Sequence, residues 1–299
     1  MSGPFNNPDG GPVSVSTFDL SQWQHQGACL IKAIGLADFP RQLLTSIFAA
    51  VEIDSAFVVV HSPAQRPVIL EDERVRAERR DEVLRYLAGP YLLDPVHLAC
   101  IEGRRQGLVR LQDIAPDHFH ESEYYRSFYV SHGLADEVNY LIRLEEGGGI
   151  AVSLGRLAEH GPFDAAELEA LESIEPIVSA AAQRHWAEGA LAAEYNDAPS
   201  QALHAQLERA FEDFGRSVLT EREGDVARLI LRGHSSKSIA RALDITPDTV
   251  RVHRKNIHTK LSIGSQGELF SLFINAIACA QGNSGEDPLQ VYLSRRTPI

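Results

Sequence analysis

The stretch from Ser235 to Leu261, "SSKSIARALDITPDTVRVHRKNIHTKL", limits what this chain can fold into more than any other. It reads as two helices joined by about three residues, Asp244, Ile245 and Thr246, which is the spacing of a helix-turn-helix. In the second helix Thr246 suits the N-cap and Pro247 the first helical position, where no amide donor is needed. Asp248 falls in the first turn, where the helix dipole favours an acid. At about 100° per residue, Arg251, Arg254, Lys255 and His258 share one face. Val250, Ile257 and Leu261 share another, with His253 at its edge. One side can bury and the other can meet a polyanion. In the shorter helix Ile239, Ala240 and Leu243 point inward. Upstream, "LTEREGDVARLILRG" opens with a capping box made by Thr220 and Glu223. Val226, Leu229 and Ile230 form its core stripe and Gly233 stops it. Downstream, "SQGELFSLFINAIACA" predicts a fourth helix with more apolar surface than a small tri-helical core requires, which points to a dimer.

Charge sharpens this picture. The whole chain of 299 residues has a formal net charge of -13. Between Arg216 and Gly264 there are ten Lys or Arg against five acids, so this span carries about +5 and the remainder about -18. Such asymmetry fits a polyanion-binding module joined to an acidic partner domain. The three cysteines, Cys29, Cys100 and Cys279, have neither disulfide nor zinc spacing, and a reducing cytoplasm fits them. No apolar run approaches the roughly 20 residues of a membrane span. The start lacks the basic and apolar regions of a signal peptide.

The first two-thirds predict a mixed domain. "FDLSQWQHQGACLIKAIG" and "FPRQLLTSIFAAVEI" show helical periodicity. "SAFVVVHS" and "PVILED" read as strands, "ERVRAERRDEVLRYLAG" as an amphipathic helix, and "PYLLDPVHLACIEG" as a turn followed by a helix from Asp94 or Pro95 to about Gly103. "GLVRLQDI" is a further strand, and "SEYYRSFYVSHG" a helix closed by Gly133. "EVNYLIRLEEGGGIAVSLGRL" reads as two strands around a Gly-rich turn. "FDAAELEALESIEPIVSAAAQRHWAEG" is a long helix with Asp164 as its N-cap. The expected fold class is α+β: an N-terminal α/β sandwich on an antiparallel sheet, PAS- or GAF-like, followed by a small all-α four-helix helix-turn-helix domain. The expected limits are a mobile tail at 1–17, a sensing or dimerisation domain at 18–188 and a linker helix at 189–215. A DNA-binding domain at 216–281 and a tail at 282–299 complete the chain. "QALHAQLERAFEDFG" in the linker is a candidate for pairing with a second copy, and "LQVYL" in the tail for a short strand.

"LTEREGDVARLILRGHSSKSIARALDITPDTVRVHRKNIHTKL" resembles the DNA-binding domain of LuxR/FixJ-type transcription regulators, over Leu219 to about Ala278. Ser238 stands where that family usually has an acid, and Gln266 where it often has Arg. The resemblance implies double-stranded DNA as partner and a recognition helix from Pro247 to about Lys260 in the major groove. Arg251, Val252 and Lys255 would face base edges. Thr220, Arg222, Lys237, Thr249 and Arg254 would meet phosphate oxygens. The chemistry agrees: Arg can pair bidentately with guanine, Val can touch a thymine methyl, and phosphate contacts position without specifying.

Such regulators carry an input domain. Two helices precede any strand here, which argues against a receiver domain, and there is no G-x-x-x-x-G-K-[ST] loop for an ATPase. "YLLDPV", "RSFYVSHGLADEVNYLIRL" and "GGGIAVSL" resemble, in order and spacing, the ligand domain of acyl-homoserine lactone receptors. The resemblance implies that Asp94 holds a ligand, with Tyr86 and Tyr91 beside it. The aromatic pair that family places before the Asp is not reproduced: Asp81 and Arg85 occupy the nearest spacing, with Tyr86 one step off. Its Trp is replaced around Val109. An acidic, Tyr-lined cavity suits a small polar or cationic effector, such as an amine, better than a long acyl chain. Asp94 before Pro95 is equally read as a plain helix cap, and Tyr91, Tyr124 and Tyr125 as core or rim aromatics. His118 and His120 lack a third ligand, so no metal is expected, and no cofactor loop or catalytic set stands out. Three readings remain: an effector-gated dimeric DNA-binding regulator; the same regulator with a ligand-free dimerisation or docking domain; and, least supported, an N-terminal enzyme fused to a DNA-binding domain.

Overall fold

Ser55–His61 forms an interior strand of the first domain because three successive valines suit a pleated surface buried on both faces. In this computed structural model, which describes residues 20–73, 80–103, 105–144, 147–187, 198–280 and 286–296, that strand is β1. Val68–Glu73 is β2, Gly107–Arg110 is β3, Leu134–Arg143 is β4 and Gly149–Leu157 is β5. The five strands form one antiparallel sheet in the order β2-β1-β5-β4-β3. The expected tail at 1–17 and the linker residues 189–197 lie outside the described residues.

Strand alternation divides the sheet into two unlike faces. Val58, Val60, Tyr140, Ile142, Ile150 and Val152 face one core. That core is closed by α1 (Leu20–Ala33), α2 (Phe39–Phe48) and α7 (Ala165–His185). Asp164 caps α7 and Glu167 completes a capping box that the sequence reading had left at a single residue. Phe39 stacks on His185 at 4.0 Å and meets Trp186 edge-on at 5.2 Å, which fastens the end of α7 to the start of α2. The opposite face presents Phe57, Val59, Glu137 and Ser153 to a cavity, and Leu141 and Ala151 to a second core. Over this face lie α3 (Arg80–Leu87), α4 (Pro95–Glu102) and α6 (Glu123–Phe128).

Two elements are shorter than their sequences suggest. The strand expected over "GLVRLQDI" stops at Arg110, and Leu111–Ile114 is a helical turn, α5. Gln112 and Asp113 favour a pleated edge poorly, and Leu111 gains burial by turning inward. The helix expected up to Gly133 ends at Phe128 and tightens into a 3-10 turn at Val130–His132. The Ser131 hydroxyl donates to the Ser127 carbonyl at 2.6 Å, and His132 Nδ1 lies 2.8 Å from the Phe128 carbonyl, so side chains satisfy groups released by the ending helix.

The C-terminal part is helical: α8 (Ala198–Asp213), α9 (Glu221–Leu231), α10 (Ser236–Leu243), α11 (Pro247–Leu261), α12 (Gln266–Ala280) and α13 (Pro288–Arg296). The expected strand "LQVYL" is instead part of α13. Asp287 decides this, because its carboxylate caps Leu289 at 2.9 Å and also accepts from the Gly215 amide at 2.9 Å and the Ser217 amide at 2.8 Å. Pro288 then starts the helix without needing a partner for an amide. The described part of 282–299 is therefore a docked helix, not a free tail. Phe273 of α12 meets Phe211 and Phe214 edge-on, each at 5.4 Å, and Leu289 of α13 is buried in the same cluster. The surplus apolar surface of α12, and the apolar face of α8, are thus covered within one chain. Neither calls for a second copy, contrary to the expectation from sequence.

Among the described residues no helix is long and apolar enough to cross a membrane. Phe273 is fully buried, so Phe273→Ala is expected to cost about 3–5 kcal/mol of stability. The check is the fall in urea midpoint followed by far-ultraviolet circular dichroism.

Candidate functional site

The exposed face of α11 is built from its ends inward. Asp244 closes α10 in the left-handed region at φ 53°, which Asp tolerates better than most side chains. The Ile245 amide donates back to Ala240 at 3.0 Å, and this fixes the turn. Thr246 accepts from the Thr249 amide at 3.2 Å and pairs hydroxyl to hydroxyl with Thr249 at 2.8 Å. Val250 and Ile257 are fully buried and anchor the helix. Arg251, Val252 and Lys255 are exposed on the far side. Val252 is 58% exposed although apolar, and it lies between two cations. Arg251 is held by Asp248 one turn back. Lys237 is exposed and Arg254 half-buried.

The remaining sequence-predicted contacts already have partners. Thr220 caps α9 by accepting from the Glu223 amide at 3.3 Å. Arg222 donates to the Leu243 carbonyl at 2.7 Å and so ties α9 to the end of α10. Lys260 is structural: its Nζ donates to buried Glu223 at 2.6 Å. Burial opposes ionisation of Glu223, but the bonds from Lys260 and from the Thr220 amide and hydroxyl outweigh it and hold the acid down to about 2. Gln266, at the position that departs from the family pattern, donates to the Ile230 carbonyl at 3.3 Å. A packing bond survives there without Arg.

The second feature is a cavity of about 800 Å³, counting its open mouth, between the sheet and α3, α4 and α6. Asp94, at its wall, is 7% exposed. It is the N-cap of α4, with the Val96 amide donating at 2.8 Å. The Tyr86 hydroxyl donates to its other oxygen at 2.7 Å. Cap and cavity wall are therefore the same residue. Burial pushes the Asp94 carboxyl up to about 6, against the pull of those bonds. Glu137 of β4, which the sequence reading did not single out, faces the same cavity. Burial first, and the Asp94 charge second, push it up to about 8, although Asn139 donates to it at 3.0 Å. Its signal was available in the alternation of β4, which puts Glu137 on the face opposite Val138 and Tyr140. Tyr124 and Tyr129 also line the cavity, and burial and the two carboxylates raise both phenols.

Tyr91 does not reach this cavity. It is fully buried behind Tyr86, which it meets edge-on at 6.2 Å, and its hydroxyl lies 2.7 Å from His204 Nδ1 of α8. It sits in the 3-10 turn Pro90–Leu93 that precedes Asp94. Its role is to join the two parts of the chain. His118 lies 3.4 Å from Glu121 and His120 meets the Tyr125 ring edge-on. Cys100 is buried, which pushes its thiol up and suits an inert packing role.

Because Glu223 is more acidic in the folded chain than its ordinary 4.5, its contribution to stability is complete above about 4.5 and is lost as pH falls toward 2. Glu223→Gln should therefore unfold at lower urea than the parent at pH 7. The gap between the two should narrow as the pH is lowered from 4.5 toward 2 in a urea titration series.

Comparison with known proteins bears on the helix-turn-helix. Residues 217–273 match the profile described as "Bacterial regulatory proteins, luxR family". A putative HTH-type transcriptional regulator from the exeN 3' region of Aeromonas salmonicida is 33% identical over 189 residues, covering 62% of this chain and 96% of that protein. The monoamine regulon transcriptional regulator of Klebsiella aerogenes is 27% identical over 148 residues, covering 50% of this chain and 54% of that one. Among solved structures, the VqsR LBD domain from Pseudomonas aeruginosa matches 55% of this chain and 95% of its own, with 27% identity and a TM-score of 0.48. The matched span contains α9 to α11, whose cap, turn and exposed basic face were reached above from the residues alone. The chain belongs to the luxR family of bacterial regulatory proteins and is a DNA-binding transcription regulator.

Proposed function

We propose that α11 enters the major groove with Arg251, Val252 and Lys255 at base edges, while Thr220, Arg222, Lys237, Thr249 and Arg254 meet the phosphates. The observation that carries this reading is the exposed Val252 between Arg251 and Lys255. An apolar side chain gains nothing in water at that position, but against a thymine methyl it gains contact and specificity. The sensing domain spans 18–188, and its cavity admits a small polar effector whose occupancy shifts the DNA-binding arrangement. The cavity itself favours this reading over a ligand-free docking domain, because a purely structural sandwich has no need of two acids inside it. The active form is a homodimer on two half-sites about one helical turn apart.

The DNA reading is tested on a duplex selected by the wild-type chain from random oligonucleotides. Arg251→Ala and Lys255→Ala should each weaken binding by about 1–3 kcal/mol and relax base preference at one position. Lys237→Ala should weaken all sequences alike and lower the salt slope by about 1. Unchanged affinity of the Arg251→Ala, Lys255→Ala double variant would remove the groove assignment.

A further inference from the structure

We propose that the N-terminal cavity is a receptor site for a monocationic amine with an aromatic or alkyl body, its ammonium held between Asp94 and Glu137. This rests on the effector reading above and names the class of ligand.

The charge inside the cavity is one-sided. Asp94 and Glu137 both line it, and among the described lining residues there is no Lys or Arg. Both carboxylates are bonded by neutral donors: the Tyr86 hydroxyl and the Val96 and His97 amides to Asp94, and the Asn139 amide and Tyr129 hydroxyl to Glu137. Two neighbouring groups that could carry positive charge are accounted for. The His61 ring is buried 3.1 Å from His97, and burial lowers it to about 3, so it stays neutral. Arg110, on the neighbouring β3, is engaged by Asp136 at 2.7 Å. The tyrosines around the acids, Tyr86, Tyr124 and Tyr129, are all held protonated by burial.

This arrangement sets the sign of the charge on the ligand. Burying two carboxylates without a cation costs free energy unless a proton or a ligand neutralises them. With Asp94 titrating near 6 and Glu137 near 8, the pair carries about one negative charge at neutral pH. An anionic ligand meets repulsion, and a neutral one leaves the buried charge unmatched. A monocation matches it. The rest of the wall fits an organic body: Phe57, Val59, Ile69 and Leu134 are apolar, and the Tyr124 and Phe128 rings can stack on a ring or face an ammonium. A bound ammonium favours ionisation of both acids, so binding should release a proton from Glu137.

The test is calorimetry on the full chain at pH 7 with three probes, 2-phenylethylammonium, hexylammonium and 2-phenylethanol, each in two buffers of different ionisation enthalpy. The ammonium probes should bind with release of up to about one proton, and 2-phenylethanol should bind at least about tenfold more weakly. Glu137→Gln should weaken the ammonium probes by about 10- to 100-fold, the range for one charge-assisted hydrogen bond, and abolish the proton release. Asp94→Asn, which keeps the acceptor that caps α4, should weaken them as well. Folding is checked separately: the raised Glu137 costs stability increasingly as pH rises from its ordinary 4.5 toward 8, so Glu137→Gln should melt higher than the parent at pH 8 and alike at pH 4. Equal binding of alcohol and ammonium would overturn the amine assignment and leave the effector cavity standing. So would an unchanged affinity in Glu137→Gln. Failure of all three probes to bind up to about 1 mM would overturn both.

Discussion

The joint on which this arrangement depends is a few atoms wide and lies between Asp117 and Ser235. Ser235 is the N-cap of α10, the first helix of the helix-turn-helix, and it accepts from the Ser238 amide at 3.0 Å. Its own amide donates to Asp117 at 2.9 Å, and its hydroxyl donates to the other Asp117 oxygen. Asp117 belongs to the N-terminal domain, so an acid from one domain supports the start of a helix in the other. Beside it the His118 amide donates to the Gly233 carbonyl at 3.0 Å. Gly233 has φ +90°, and a Cβ there would sit 2.8 Å from the Phe119 Cα. Glycine is required at this position twice over: by its backbone angle and by the approach of another domain.

Phe119 connects the joint to the cavity. It is fully buried, and its ring lies 5.9 Å from Tyr124 and 5.8 Å from Tyr129, both of which line the cavity. Tyr125 stacks on Tyr129 at 5.1 Å and meets Phe119 at 5.6 Å. Interiors packed at crystal density cannot absorb a ring displacement locally. A displacement of Tyr124 or Tyr129 would therefore press on Phe119, and through its backbone on Gly233 and the start of α10. A second tie runs from Tyr91 to His204 of α8, which in turn covers α12. One hydrophobic cluster contains residues of both domains, from Tyr91 and Phe119 to Ile239 and Phe273. The face of α11 that carries Arg251, Val252 and Lys255 stays uncovered in this arrangement. The joint thus bears on where the helix-turn-helix is held, and it leaves the reading surface itself exposed.

How much of this the sequence discloses depends on the range of the interactions involved. The caps of α4, α7, α9 and α11 are local: Asp94, Asp164, Thr220 and Thr246 each bond an amide two or three residues on, so a short window contains the whole cause. The helix-turn-helix was legible for the same reason, and so were the strands rich in β-branched residues. The errors arose where a distant partner decides. "LQVYL" has the composition of a strand, but Asp287 bonds Gly215 and Ser217, about 70 residues away, and that fixes a helix start. The apolar excess of α12 looked like a dimer face because its cover, α8 and α13, comes from flanking segments whose docking no periodicity announces. Tyr91 is near Asp94 in sequence, but its hydroxyl meets His204, more than a hundred residues away, and not the cavity. Glu137 was overlooked because an acid in a strand usually faces water, and only the helices laid over β4 make that face an interior one.

Asp94 and Glu137 also show why a site can be told from a scaffold here. Elsewhere the chain matches its buried acids: Glu223 has Lys260, and Asp287 has three amides and a hydroxyl. Those acids stabilise the fold, since each is neutralised or bonded by groups that folding itself brings in. In the cavity the same chemistry is left incomplete, and both carboxyls become weaker acids: burial raises Asp94, and burial together with the Asp94 charge raises Glu137. A core selected for stability alone would replace Glu137 with an apolar residue of similar size, as buried charges are often replaceable without loss. Glu137 stands instead beside Asp94, in a cavity one ring removed from the interdomain joint, where the proposed cation would find both a charge to neutralise and a packed path toward α10.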